Sequence, residues 1–229
     1  MNILVIGAGG VGASMASIAE TRSFFSTFVL ADITKSRAEE AIALLDDRTK
    51  FVAEQVDARD KEAIKALIHK VKADVVVNAC DPRMNEPIFG AAYEAHCNYI
   101  DMAMNLSEPH QTNPYEEVGS PLGKDQLAAD AQWRERGILA LVGMGVEPGL
   151  SDVFARYAAD NLFDTIDEIG VRDGSNLSID GLDFAPTFSI WTTIEECLNP
   201  PIVWEKNKGL FTTDCFSEPE VFHFPAGIG

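Results

Sequence analysis

Along the first 143 residues, short apolar runs alternate with amphipathic stretches, which is the pattern of strands joined by helices. Ile3 to Ile6 is an unbroken apolar run, and Ala13 to Glu20 after it has helical composition. Thr27 to Ala31 reads as a second strand, and Ala38, Ala41, Ile42 and Leu45 then fall at helical spacing. Lys50 to Val56 predicts a third strand ending on Asp57, followed by an amphipathic helix with Ile64, Leu67, Ile68 and Val71 facing inward. Asp74 to Ala79 is β-branched and almost wholly apolar, as a central parallel strand covered on both faces must be. It breaks at Cys80-Asp81-Pro82, at the sheet edge where open α/β folds bind ligands. A helix over 85–96, a strand over 98–101 and a strand over 137–143 complete six strands. Between the last two lie an irregular segment, Met104 to Gly123, read as a flap or subunit contact, and a helix to Glu135 with Leu127, Ala131 and Arg134 on one side.

Near residue 150 the alternation stops. A helix over 151–161 is followed by short strand patterns at 166–172, 184–190, 202–205, 210–214 and 221–224. One helix, 191–198, interrupts them, and Lys206 to Gly209 carries a hairpin turn. The expected architecture is α/β: a doubly wound Rossmann sheet over 1–149, then an α+β domain over 150–229 with a mainly antiparallel sheet for substrate binding or dimerisation. That second domain is expected to be incomplete at its C-terminus.

The turn after the first strand holds the candidate chemistry. Gly7, Gly9 and Gly12 have G-x-G-x-x-G spacing between strand and helix, and Asp32 ends the second strand twenty residues beyond Gly12. In a dinucleotide site such glycines make the turn, admit a pyrophosphate and let helix and strand pack closely, while the acid holds ribose hydroxyls. Gly7, Gly9, Gly10, Val11, Gly12 and Asp32 are therefore candidate cofactor contacts, with Asp57, Asn78, Ala79 and Cys80 at neighbouring strand tips. The competing reading is a plain buried strand–helix unit. A secretory signal fails, because the N-terminus lacks Lys and Arg and four glycines interrupt the apolar run. Asp32 favours NAD, with NADP as the alternative if Lys35 or Arg37 neutralises a 2′-phosphate.

The net charge of −18 argues against nucleic acid and anionic membranes as partners. No apolar run is long enough to span a bilayer. Cys80, Cys97, Cys197 and Cys215 show no C-x-x-C pairing, and the four histidines are scattered, so a reducing cytoplasm, free thiols and no metal site are expected.

Several stretches, VVVNACDP (75–82), NYIDMA (98–103), LVGMGVEPGLSDVFA (141–155) and FSIWTTIEECLNPP (188–201), together with Gly7 to Asp32, resemble the saccharopine dehydrogenase family. Its most specific mark is Gly145 to Gly149, opening a helix directly after the last Rossmann strand. The resemblance implies reversible oxidation of a secondary amine: hydride leaves the carbon next to nitrogen, and the imine is hydrolysed to amine and carbonyl. The substrate is then an amino acid or a polyamine-like compound. Proton transfer needs a group against the substrate nitrogen, and the candidates are Asp81, Asp101 and Glu147. Asp81 as a helix cap, Asp101 as a solvated carboxylate and Glu147 as a junction residue are the structural alternatives. Trp191, Thr192 and Glu195 lie in the segment that the family places over its substrate, where an indole beside carboxylates suits an ammonium group. Between Ala140 and Pro200 only Arg156 and Arg172 stand against eleven acids, a lean towards a cationic, polyamine-like substrate. The rival from another class is a dinucleotide-binding regulatory protein without chemistry. A homodimer is expected.

Overall fold

The computed structural model describes residues 1–174, 178–182 and 190–225. The chain divides into two compact units, residues 1–106 with 122–153, and residues 107–121 with 154–229.

In the first unit, strands β1 (Asn2–Ile6), β2 (Thr27–Asp32), β3 (Phe51–Gln55), β4 (Val75–Asn78), β5 (Asn98–Asp101) and β6 (Ala140–Leu141) form one parallel sheet. Their order is β3-β2-β1-β4-β5-β6. The chain starts in the middle, winds to one edge and crosses back, so a crevice opens beside the C-terminal ends of β1 and β4. Helices α1 (Gly10–Glu20), α2 (Lys35–Ala43), α3 (Lys61–Val71) and α4 (Asn85–Glu94) are the crossovers. Strand periodicity sends successive side chains to opposite faces, and both faces are buried. Ile3, Val5, Phe28, Leu30, Val75 and Val77 pack under α1 and α2 against Ala16, Ala38 and Ile42. Their neighbours Leu4, Ile6, Val29 and Val76 pack on the other face against Ile64, Ile68, Ile88 and Trp133. Asp60 caps α3, its carboxylate accepting the Ala63 N–H at 2.9 Å.

Two expectations in this unit need correction. The stretch after Gly123 forms two short helices, α5 (Lys124–Ala128) and α6 (Asp130–Glu135), which bury Gln126 and Trp133 and leave Leu127 59% exposed. The single helix expected up to Glu135 is thus broken at Ala129, and Leu127 and Arg134 lie on different helices. The Trp133 ring, 4.7 Å from that of Phe89, sets the rotation of α6, while Arg134 pairs outside with Asp130. The strand expected over 137–143 shrinks to two residues, because Gly137 and Gly143 adopt left-handed φ values of 66° and 68°.

Helix α7 (Leu150–Asn161) begins in the first unit and continues in the second. The second unit also holds α8 (Ile190–Leu198) and an antiparallel hairpin of β7 (Ile202–Glu205) and β8 (Gly209–Thr212), turned by left-handed Asn207 and Gly209. The strands expected at 166–172 and 221–224 do not form. Ile169 and Val221 there are 63% and 84% exposed, and among the described residues no strand pairs with either stretch, without which strand propensity does not make a strand. In the pattern at 184–190, residues 184–189 lie outside the described residues, and Ile190 begins α8. Segment 107–121 closes on itself through paired backbone hydrogen bonds between Glu108 and Ser120. Every buried apolar residue among those described lies in the first unit, between Ile3 and Trp133.

Candidate nucleotide site and strand-tip network

Gly7 leaves β1 with φ of 108°, a conformation open to glycine, and a Cβ there would lie 2.7 Å from the Ala79 carbonyl oxygen. A Cβ on Gly12 would overlap the Gly7 carbonyl oxygen, so α1 sits this close to β1 only with glycine at that place. Gly9 and Gly10 differ: a Cβ on either meets nothing within 4 Å, so their face is open. No side chain caps α1 at Gly9. The first N–H groups of a helix have no internal acceptor, so those of Gly10, Val11 and Gly12 are available at the positive end of the helix dipole. This backbone cradle fits a pyrophosphate. A cavity of about 520 Å³ runs from Gly9 and Gly10 to Arg37, Glu40 and Leu44 on the side of α2.

Asp32 stands at the tip of β2, but it is turned inward and only 7% exposed. Its Oδ2 accepts the Ala8 N–H at 2.9 Å and its Oδ1 the Thr34 N–H at 3.0 Å. It braces the glycine turn, and a ribose would have to use its remaining lone pairs. Lys35 pairs with Glu39 at 3.7 Å. Asp57, just after β3, holds the Arg59 guanidinium with both oxygens, at 2.9 and 2.7 Å. Hydrogen bonds from the Arg59 side chain and then its backbone hold the Asp57 carboxyl down to about 2.

At the tip of β4, Asn78 is buried; its Oδ1 accepts the Cys80 N–H at 2.9 Å and its Nδ2 donates to Asn85 Oδ1 at 2.6 Å. Asn85, also buried, donates to the Ala103 carbonyl at 2.8 Å. Ala79 covers Gly7, and the Cys80 thiol donates to the Ile6 carbonyl at 3.3 Å. Burial first, then the charges of Asp32 and Asp81, push that thiol up to about 12, which makes it a packing group rather than a nucleophile. Asp81 caps the single 3-10 turn at Pro82–Met84 and grips the Arg83 guanidinium at 2.8 and 2.9 Å.

At the tip of β5, Asp101 is 1% exposed and not the solvated carboxylate of the alternative reading. Its Oδ1 accepts the Gly143 N–H and its Oδ2 the Gln126 side-chain amide, both at 2.7 Å. Gln126 Oε1 accepts the Asn105 N–H at 2.7 Å. The Tyr99 hydroxyl, 3.5 Å from Asn78 Nδ2, is raised far above its ordinary value by burial and then by the Asp101 charge. Glu147 is exposed in the 144–149 loop, which folds through Gly145 N–H to Pro148 O at 3.0 Å and is tied to β5 through Met144 N–H to Asp101 O at 2.8 Å. Trp191, Thr192 and Glu195 share α8 in the second unit, where Trp191 is 60% exposed. Partial burial and then Asp173 raise Glu196 on the same helix. Among the described residues no group of three His, Cys, Asp or Glu side chains is arranged to hold a metal ion, and no helix is long and apolar enough to cross a membrane.

Asn85 and Gln126 are the site residues that sequence reasoning missed. The available signal for Asn85 was a polar side chain at the helical register of Ile88 and Ala92, where an apolar one belongs.

A family model described as the saccharopine dehydrogenase NADP-binding domain matches residues 3–141. The chain belongs to this family. Membership makes residues 3–141 an NAD(P)-binding domain. The carboxynorspermidine synthase of Vibrio cholerae is 33% identical over 98% of this chain and 55% of its own length. The carboxyaminopropylagmatine dehydrogenase of a Synechocystis species is 27% identical over 85% of this chain and 46% of its own. The chain thus spans about half the length of these relatives. The structure of a saccharopine dehydrogenase from Saccharomyces cerevisiae superposes with a TM-score of 0.53 at 14% identity, over 70% of this chain and 31% of that one, a likeness of fold.

Proposed function

We propose that this chain carries the cofactor half of an NAD(P)-dependent oxidoreductase that reversibly oxidises a secondary amine in a polyamine-derived amino acid. The observation that carries the reading is the glycine cradle at the β1/β4 switch point in a chain of this family. The relatives' names add the substrate class, since both denote carboxylated polyamine-like compounds. The acid surplus between Ala140 and Pro200 suits a cationic substrate. When bound, nicotinamide supplies the hydride acceptor or donor. The chain's own work is to hold the phosphates on the N–H groups of Gly10, Val11 and Gly12, to present the β4 tip at Asn78 to Asp81, and to move a proton at the substrate nitrogen. For that proton the candidates are Glu147, exposed in the 144–149 loop, and Asp81 at the tip of β4. Trp191 and Glu195 are assigned to the ammonium end of the substrate.

NAD is the assigned cofactor. A 2′-phosphate about 4 Å from the Asp32 carboxylate would be repelled by roughly 4 kcal/mol at an effective dielectric near 20, well beyond the 1.4 kcal/mol of a tenfold preference. Arg37, on the cavity wall, would then be the residue to stack on adenine. Dissociation constants for NADH and NADPH on the wild type and on Asp32→Asn test this; tighter NADPH binding by the wild type would refute it. The function is tested by NAD(P)H turnover with carboxynorspermidine, saccharopine and simpler amine–carbonyl pairs. Cofactor binding without turnover of any pair would favour a regulatory protein instead.

A further inference from the structure

The polar side chains at the ends of β4 and β5 form a buried chain that ties two backbone segments together. Asn85 reaches Ala103, Gln126 reaches Asn105, and Asp101 reaches Gly143 with its side chain and Met144 with its carbonyl. Residues 103–105 and 143–149 belong to no helix or strand, and these bonds tie them to the sheet. The second of these segments presents Glu147.

We propose that Asp101 is a positioning residue which, clamped by Gln126, sets the 103–105 and 143–149 segments and moves no proton itself; this rests on the oxidoreductase reading above. Its two closest partners are donors that cannot become acceptors, and the buried Tyr99 hydroxyl reaches the carboxylate as well. Gly143 offers a backbone N–H, and the Gln126 amide cannot turn round because its oxygen already accepts the Asn105 N–H. Taking up a proton in each turnover would turn a charged acceptor into a weaker neutral one and loosen the hold on these segments every time. With 1% exposure, it also has no open path to solvent.

The donor pattern yields a reciprocal test. In Asp101→Asn one amide hydrogen-bond donor faces another, at Gln126 or at Gly143. In the double substitution Asp101→Asn with Gln126→Glu, every bond can re-form with one direction reversed. The new amide accepts from Gly143 N–H and donates to the new carboxylate, whose other oxygen accepts from Asn105 N–H. The expected result is that Asp101→Asn loses about tenfold or more in kcat, by leaving a buried donor without an acceptor. Its NADH dissociation constant stays within about twofold, since the phosphate cradle lies elsewhere. The double variant regains most of that kcat, and hydrogen exchange at Asn105 and Gly143 rises in the single variant and returns in the double. Recovery of exchange protection and melting temperature without recovery of kcat would overturn the proposal, because the carboxylate would then be needed at 101 itself. So would a double variant less stable than the single, or unchanged exchange in Asp101→Asn. If the wild type turns over no amine–carbonyl pair, the oxidoreductase reading fails, while the exchange and melting data still decide whether the clamp exists.

Discussion

Around β1 and β2 the C-terminal edge of the sheet is shaped by backbone: Gly7 and Gly12 permit the close approach, Gly9 and Gly10 leave it open, and N–H groups face the ligand space. Around β4, β5 and β6 the same edge is shaped by buried side chains, with Asn78, Asn85, Asp101 and Gln126 each hydrogen-bonded. The contrast follows from what each half must hold. A pyrophosphate is the same in every dinucleotide and is met by a helix end. Loops that present a particular substrate need particular bonds, and buried polar groups supply them at the cost of intolerance to loss.

The largest expected effects separate the two halves. Gly12→Val should abolish NADH binding and lower the melting temperature by several degrees, since forcing side-chain atoms into a packed contact costs about 1–3 kcal/mol. Gly9→Val, on the open face, should abolish binding while melting within a degree or two of wild type; undiminished NADH affinity would place the cradle elsewhere. Next, Asn85→Leu should lower melting by a comparable amount, because it takes the donor from the Ala103 carbonyl and leaves the buried Asn78 amide with only its long contact to the Tyr99 hydroxyl, a loss of about 1–3 kcal/mol. Its NADH dissociation constant should change less than about threefold; a collapse in affinity would show that the two halves are not separable.

A smaller effect concerns the thiols. Burial pushes Cys80 and Cys97 up to about 12, whereas Cys197 is exposed, so iodoacetamide at pH 8 should label Cys197 and spare Cys80 and Cys97. Peptide mass spectrometry checks this, and rapid labelling of Cys80 in the native protein would mean that the β4 tip opens. The smallest expected effect is on pH. Asp57 is held down to about 2 by Arg59, below its unfolded value near 3.9. Its contribution is present above about pH 4 and lost as pH falls towards 2. Arg59→Gln should therefore flatten this part of the melting profile slightly, since the pair is exposed and water screens it.

Legibility in the sequence followed periodicity. The strands β1 to β5 and helices α1 to α4 stand close to where apolar spacing put them, because both faces of the sheet are buried and each position reports its face. After Gly123 periodicity did not show the break between α5 and α6, nor that Gln126 would be inside and Leu127 outside, where a hydrogen bond to Asp101 outweighs the apolar preference. At 166–172 and 221–224 β-branched composition had no partner strand among the described residues to act on.

The sequence by itself determined the order of strands and helices, the glycine turn and the acid at the tip of β2, because these depend on local spacing; a Cβ on Gly12, for one, would strike Gly7 five residues back. Only the tertiary structure decided what the acids do. Asp32 faces Ala8 and Thr34, Asp81 faces Arg83, and Asp101 faces Gln126 and Gly143. A carboxylate's role is set by the donors that reach it, and three of these donors come from residues 24 to 42 positions away in the chain.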